Sequence, residues 1–116
     1  MNLRWMAAAV AAAAVLTIPP ARAQTFINVL TGGTSGVYYP LGVAISKIYG
    51  DKIANVKTQV QATKASVENL ILLQQGRGEI AFALGDSLKA AWDGDEEAGF
   101  KIRLDKLRTL GAIYPN

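Results

Sequence analysis

The chain has 116 residues, is 51% hydrophobic, and sets twelve Lys or Arg against nine Asp or Glu for a formal net charge of +3. That length allows one small domain or part of a larger one. With no histidine in the sequence, Ser-His-Asp catalysis and histidine metal sites are excluded within these residues.

Residues 1–23, MNLRWMAAAVAAAAVLTIPPARA, stand apart from the rest. Arg4 gives a basic start, Trp5 to Ile18 is an apolar run, and Pro19-Pro20 breaks any helix. Ala21-Arg22-Ala23 then supplies the small–x–small pattern of a cleavage site, so a secretory signal peptide is expected over 1–23. A membrane anchor is the competing reading, but a spanning helix needs roughly 20 apolar residues and the prolines stop this run short. Cleavage near Ala23 would remove Arg4 and Arg22 and leave ten basic residues against nine acids, a net charge of +1 over 24–116. No basic stripe with interleaved aromatics survives, so nucleic acid is not an expected partner. The lack of cysteine is consistent with an exported protein, periplasmic or otherwise extracytoplasmic, that needs no disulfide staple.

FINVLT (26–31) is rich in bulky and β-branched residues and predicts a first strand. The glycine-rich stretch TGGTSG follows, and then Val37, Leu41, Ala44, Ile45 and Ile48 recur at helical spacing. Pro40 falls in the first turn of that helix and Gly50 is its expected stop. VKTQVQA (56–62) alternates like a second strand. In TKASVENLILLQQGRGE, Val67, Leu70, Ile71 and Leu73 trace a helix face, with Ser66 or Thr63 as the expected cap and Glu68 favourable in the first turn. EIAFAL (79–84) reads as a buried third strand, and Asp86 before SLKAAW reads as the cap of a short helix. DGDEEAGFK is a polar loop, and LRTLGAIY (107–114) is expected to form a fourth strand. The alternation predicts an α/β domain with a largely parallel sheet flanked by helices. A sheet of that kind is covered on both faces. No helix follows the last expected strand, so 24–116 is expected to be an incomplete domain.

The turn LTGGTSGVYYP admits several chemistries, because glycine-rich turns hold anions on backbone amides. A short-chain dehydrogenase fingerprint is spoiled by Tyr38, which stands where a glycine is needed, and the end of the second strand offers Gln59, Gln61 and Thr63 but no ribose-binding acid. No glycine pair is followed by the Lys and Ser/Thr of a P-loop. DGDEE at 93–97 fails as a calcium loop, with Ala98 at the sixth position and Leu104 at the twelfth. What remains is non-covalent binding. Ligands of open parallel sheets sit outside the carboxyl ends of the strands. Here that rim collects 31–39, 62–66 and 85–87, three helix starts with hydroxyls, amides and an aromatic ring. This set suits a small carboxylate or amino acid. An exported enzyme with its catalytic residues elsewhere, or a small interaction domain, remains an alternative.

TGGTSGVYYPLG closely resembles the signature TGGTGGVYYPLG of the extracytoplasmic solute-binding subunits of TAXI-type TRAP transporters. QATKASVENLILLQQGRGEIAFALGD and LRTLGAIYP are similar to the segments that follow in that family, so the likeness covers 26–116. The resemblance implies the first lobe of a periplasmic-binding-protein-like (type II) clamshell, a binder and not an enzyme, with no cofactor. It implies capture of a small organic acid or an amino acid such as glutamate, and delivery by a monomer to TRAP membrane subunits driven by an ion gradient. Carried over position by position, the ligand-facing residues are Gly32, Gly33, Thr34, Ser35, Gly36 and Tyr38 in the first loop, Thr63, Ser66 and Asn69 in the second, and Asp86 in the third. Many relatives have Gly-Gly where this chain has Lys64-Ala65, and Lys64 is expected to point to solvent.

Overall fold

A computed structural model describes residues 22–115, so residues 1–21 of the expected signal segment 1–23 lie outside the described residues. The elements run β1 (Thr25–Leu30), α1 (Tyr38–Lys52), β2 (Val56–Gln61), α2 (Ser66–Gln74), β3 (Ile80–Ala81) and α3 (Gly85–Asp93). The three strands form one parallel sheet in the order β2-β1-β3. β1 pairs along its whole length, from Thr25↔Val56 to Leu30↔Gln61, whereas β3 contributes only Val29↔Ile80 and Leu30↔Ala81. The expected α/β class, a parallel sheet flanked by helices, is therefore what forms, and it is consistent with part of a periplasmic-binding-like fold.

Side chains alternate across β1 as a pleated strand requires. Val29 and Thr31 face α1, where a Cβ built on Gly42 would sit 2.4 Å from the Thr31 methyl and 3.5 Å from both Val29 and Val60. Glycine at 42 is thus what lets α1 lie close on the sheet. Leu30, one residue out of phase, points the other way and meets Gly78, whose added Cβ would be 2.6 Å from Leu30 Cδ1. Ser46, one turn beyond Gly42, is buried, and its carbonyl accepts the Thr58 hydroxyl at 3.1 Å.

A buried cluster lies between α2, α3 and the chain after α3: Leu70, Ala91, Phe100, Leu104 and Leu107. The acidic stretch after α3 is more than a solvated loop. Gly94 ends α3 in the left-handed region at φ 73°, as C′ glycines do. Asp95 Oδ1 then accepts the amides of Glu97 (3.0 Å) and Ala98 (3.3 Å). That turn delivers Phe100, 1% exposed, into the core.

Three expectations are corrected. α1 does not stop at Gly50 but runs to Lys52, ending where Ile53 is extended and its N–H donates to the Tyr49 carbonyl. The left-handed turn into β2 is made by Asn55 at φ 61°, a residue that tolerates it. Residues 107–114 form no strand. Leu107 is instead drawn into the helix core, while Leu110 is left 81% exposed. β3 is two residues long, not six, because a strand has only the length its neighbour pairs.

Candidate functional site

The carboxyl ends of the three strands meet in a tightly bonded floor. Thr31 is fully buried; its N–H and hydroxyl both donate to the Gln61 carbonyl, at 3.0 and 2.8 Å. Thr63 N–H donates to Gly32 O at 3.3 Å, joining the first loop to the second. Above this floor Gly36 N–H donates to Gly33 O at 2.9 Å, closing a turn that leaves Thr34 and Ser35 exposed. Gly32 and Gly33 lead the chain into this turn, and Gly32 lies against Ala65, whose Cβ is 3.5 Å from where a glycine-32 Cβ would be.

All three helices begin beside this floor, and none is capped by a side chain. The cap positions are held by Val37, Ala65 and Leu84, residues with no oxygen to offer the first-turn amides. The expected caps are otherwise engaged. Ser66 is the first residue of α2, and its Oγ accepts the Leu84 amide at 3.0 Å, linking the starts of α2 and α3. Thr63 Oγ1 accepts the Ala65 amide at 3.0 Å. Asp86 lies inside α3, with Oδ1 accepting the adjacent Ser87 amide at 2.6 Å. Glu68 reaches back from the first turn of α2 to accept the Lys64 amide at 2.6 Å. Lys64 itself is exposed and makes no ion pair among the described residues, as expected of a solvent-facing lysine.

Asn69 is 0% exposed and does not reach the rim. Its two amide protons go to Thr31 O at 2.6 Å and Phe82 O at 2.8 Å, and its oxygen lies 2.6 Å from the Thr63 hydroxyl. The structure therefore separates the expected site residues. Gly33 to Gly36 form the exposed turn with Gly32 buried at its base, Thr63, Ser66 and Asn69 belong to the floor, and Tyr38 and Asp86 line a cleft.

That cleft, of about 980 Å³, runs along β3 and is walled on its far side by residues 106–114. Between Tyr38 and Tyr39 it is Tyr38 that lines it, stacked on Phe82 with ring centroids 5.3 Å apart and planes at 21°. Burial pushes the Tyr38 hydroxyl above its ordinary 10.0; the Ser66 hydroxyl pulls it down, and Tyr114 and Asp86 add to the rise. Phe82 and Tyr114 were not singled out in the sequence. Phe82 had a signal, since it alternates with Ile80 in EIAFAL, but nothing local marks Tyr114.

The arrangement offers backbone amides at helix starts that lack a side-chain N-cap, although Asp86 takes the Ser87 amide of α3, together with hydroxyls and a protonated phenol, a set that donates hydrogen bonds to an anion. Among the described residues no three acidic side chains gather as metal ligands, and no helix is long and apolar enough to cross a membrane. A family model, that of the NMT1-like family, matches residues 29–116, from within β1 through every loop of this rim. The chain belongs to the NMT1-like family, a family of periplasmic solute-binding proteins.

Proposed function

We propose that the chain is exported and serves as the first-lobe part of a solute-binding subunit of a TAXI-type TRAP transporter. It captures a small carboxylate, an organic acid or an amino acid of the glutamate kind. It hands that solute to ion-gradient-driven membrane subunits without altering it chemically.

The observation that carries this reading is the set of three adjacent helix starts whose cap residues are Val37, Ala65 and Leu84. One uncapped helix is ordinary. Three side by side at the carboxyl rim of a parallel sheet leave a concentration of amide donors that a bound carboxylate satisfies. Each helix start favours a nearby negative charge by about 0.3–1 kcal/mol. The exposed Thr34 and Ser35 and the cleft-lining Tyr38 orient the anion, while Asp86, near the same cleft, suits the ammonium of an amino acid. The TGGTSGVYYPLG signature points to the TAXI group within solute-binding proteins.

The test is thermal unfolding with and without L-glutamate, then with succinate and pyruvate. A ligand at a hundred times its Kd stabilises by about 2.7 kcal/mol, which in a chain of this size raises Tm by more than about 10 °C. No shift with any of these acids contradicts the ligand class. Chemical conversion of the bound acid contradicts the binder reading and favours an exported enzyme. Co-purification with TRAP membrane subunits tests the partner.

A further inference from the structure

The three helix starts point at one place only if the strands that precede them are held in fixed relation at their carboxyl ends. Backbone pairing does this for β1 and β2 over their full length but only weakly for β3, which pairs through two residues. The side chain that makes up the difference is Asn69. Its amide donates to the carbonyl just beyond β1 (Thr31 O, 2.6 Å) and to the carbonyl just beyond β3 (Phe82 O, 2.8 Å). Its oxygen takes the hydroxyl of Thr63, two residues beyond β2 (2.6 Å). One planar amide thus touches all three strand ends from within the first turns of α2, in a site closed to water.

We infer that Asn69 is a positioning residue for the anion site: it holds the three uncapped helix starts in register and makes no contact with the solute itself. The inference rests on the proposed function for its binding consequence, but the clamp can be tested without it. The chemistry is specific to asparagine. An aspartate in its charged form would turn both carbonyl contacts into repulsion, and a leucine would leave the Phe82 carbonyl unpaired in a buried place.

The experiment compares the 116-residue chain with its N69L and N69D forms, using amide hydrogen exchange and titration with L-glutamate. In N69L, the clamp predicts exchange faster by about tenfold or more at Thr31, Thr63, Phe82 and Leu84. Thr25 and Ile53, at the opposite end of the sheet, keep the parent rate. Uniformly faster exchange in N69L, or none localised to the strand ends, overturns the clamp. In N69D, burial and the two carbonyl dipoles raise the carboxyl pKa. Its neutral form regains one donor, so glutamate affinity weakened at pH 8 recovers at pH 5 relative to the parent, which carries the same Glu68 and Asp86 beside the rim. A loss in N69D that ignores pH overturns the positioning role in favour of plain packing. Unchanged affinity in both variants, with local loosening seen, overturns it as well. If the parent chain responds to none of glutamate, succinate and pyruvate, the proposed function fails while the exchange result still decides the clamp.

Discussion

Ala65 carries the clearest local cost in the site. It sits at φ 69° and ψ −142°, backbone that glycine adopts freely and that costs another residue about 1–3 kcal/mol. Of the Lys64-Ala65 pair, Lys64 is exposed, whereas Ala65 abuts Gly32. Ala65→Gly is expected to raise stability by about 1 kcal/mol after the greater freedom of the unfolded glycine is subtracted. Thermal unfolding should show it as a Tm higher by about 4–8 °C. A lower Tm would mean the conformation is not strained. Tyr38 gives a pH prediction at the same scale. Its folded pKa is raised above 10.0, first by burial, so the folded state holds that proton more tightly than the unfolded chain does. The stabilisation is fully present below pH 10 and is lost as pH rises through the folded value. Denaturant midpoints of Tyr38→Phe should therefore fall less than the parent's between pH 9.5 and 11.

At the scale of elements, the helix starts trade stability against binding. Serine, threonine or aspartate at a cap is worth about 0.5–2 kcal/mol over an apolar residue, and this chain forgoes it three times running. Val37 is 60% exposed, so changing it loses little packing. Val37→Asp adds a negative charge at the start of α1 and should stabilise by about 0.5 kcal/mol through the helix dipole. The same charge occupies the field meant for a carboxylate, so glutamate affinity should fall by about tenfold, near 1.4 kcal/mol. Calorimetric titration alongside urea unfolding reads both signs. If stability and affinity rise together, the helix starts are not the anion site. The element pattern itself was legible: β1, α1, β2 and α2 stand within a few residues of where period and turn chemistry put them. The cap residues were not, because Ser66, Thr63 and Asp86 all have the right chemistry for caps, and only the folded backbone shows which amides they take: Leu84 for Ser66, Ala65 for Thr63 and Ser87 for Asp86.

For the whole molecule, the open edge of β3 decides behaviour in solution. No strand covers it among the described residues, and the facing segment exposes Leu110 (81%), Ile113 (58%) and Tyr114 (42%) across an apolar cleft. Uncovered edges beside exposed apolar surface invite pairing between chains. Residues 24–116 alone should therefore associate as concentration rises. Leu110→Lys should reduce that association without lowering the unfolding midpoint, because most of the Leu110 side chain already faces solvent. Sedimentation over a tenfold concentration range tests both statements. A strictly monomeric parent would show that the edge is protected.

By itself the sequence determined the α/β class, the parallel order of alternation, the glycine-rich turn after β1 and which loops gather at the strands' carboxyl ends. These follow from short-range chemistry, namely period, turn residues and the geometry of open parallel sheets. Tertiary structure alone decided that Asn69 is a buried clamp, that Tyr38 and not Tyr39 lines the cleft, and that 107–114 is anchored by Leu107 without becoming a strand. Each of these depends on a partner distant in sequence, such as Phe82, 13 residues from Asn69 and stacked on Tyr38, or Thr31, 38 residues from Asn69. An amide's type announces that it will be satisfied when buried. Which carbonyls satisfy it is a property of the folded chain.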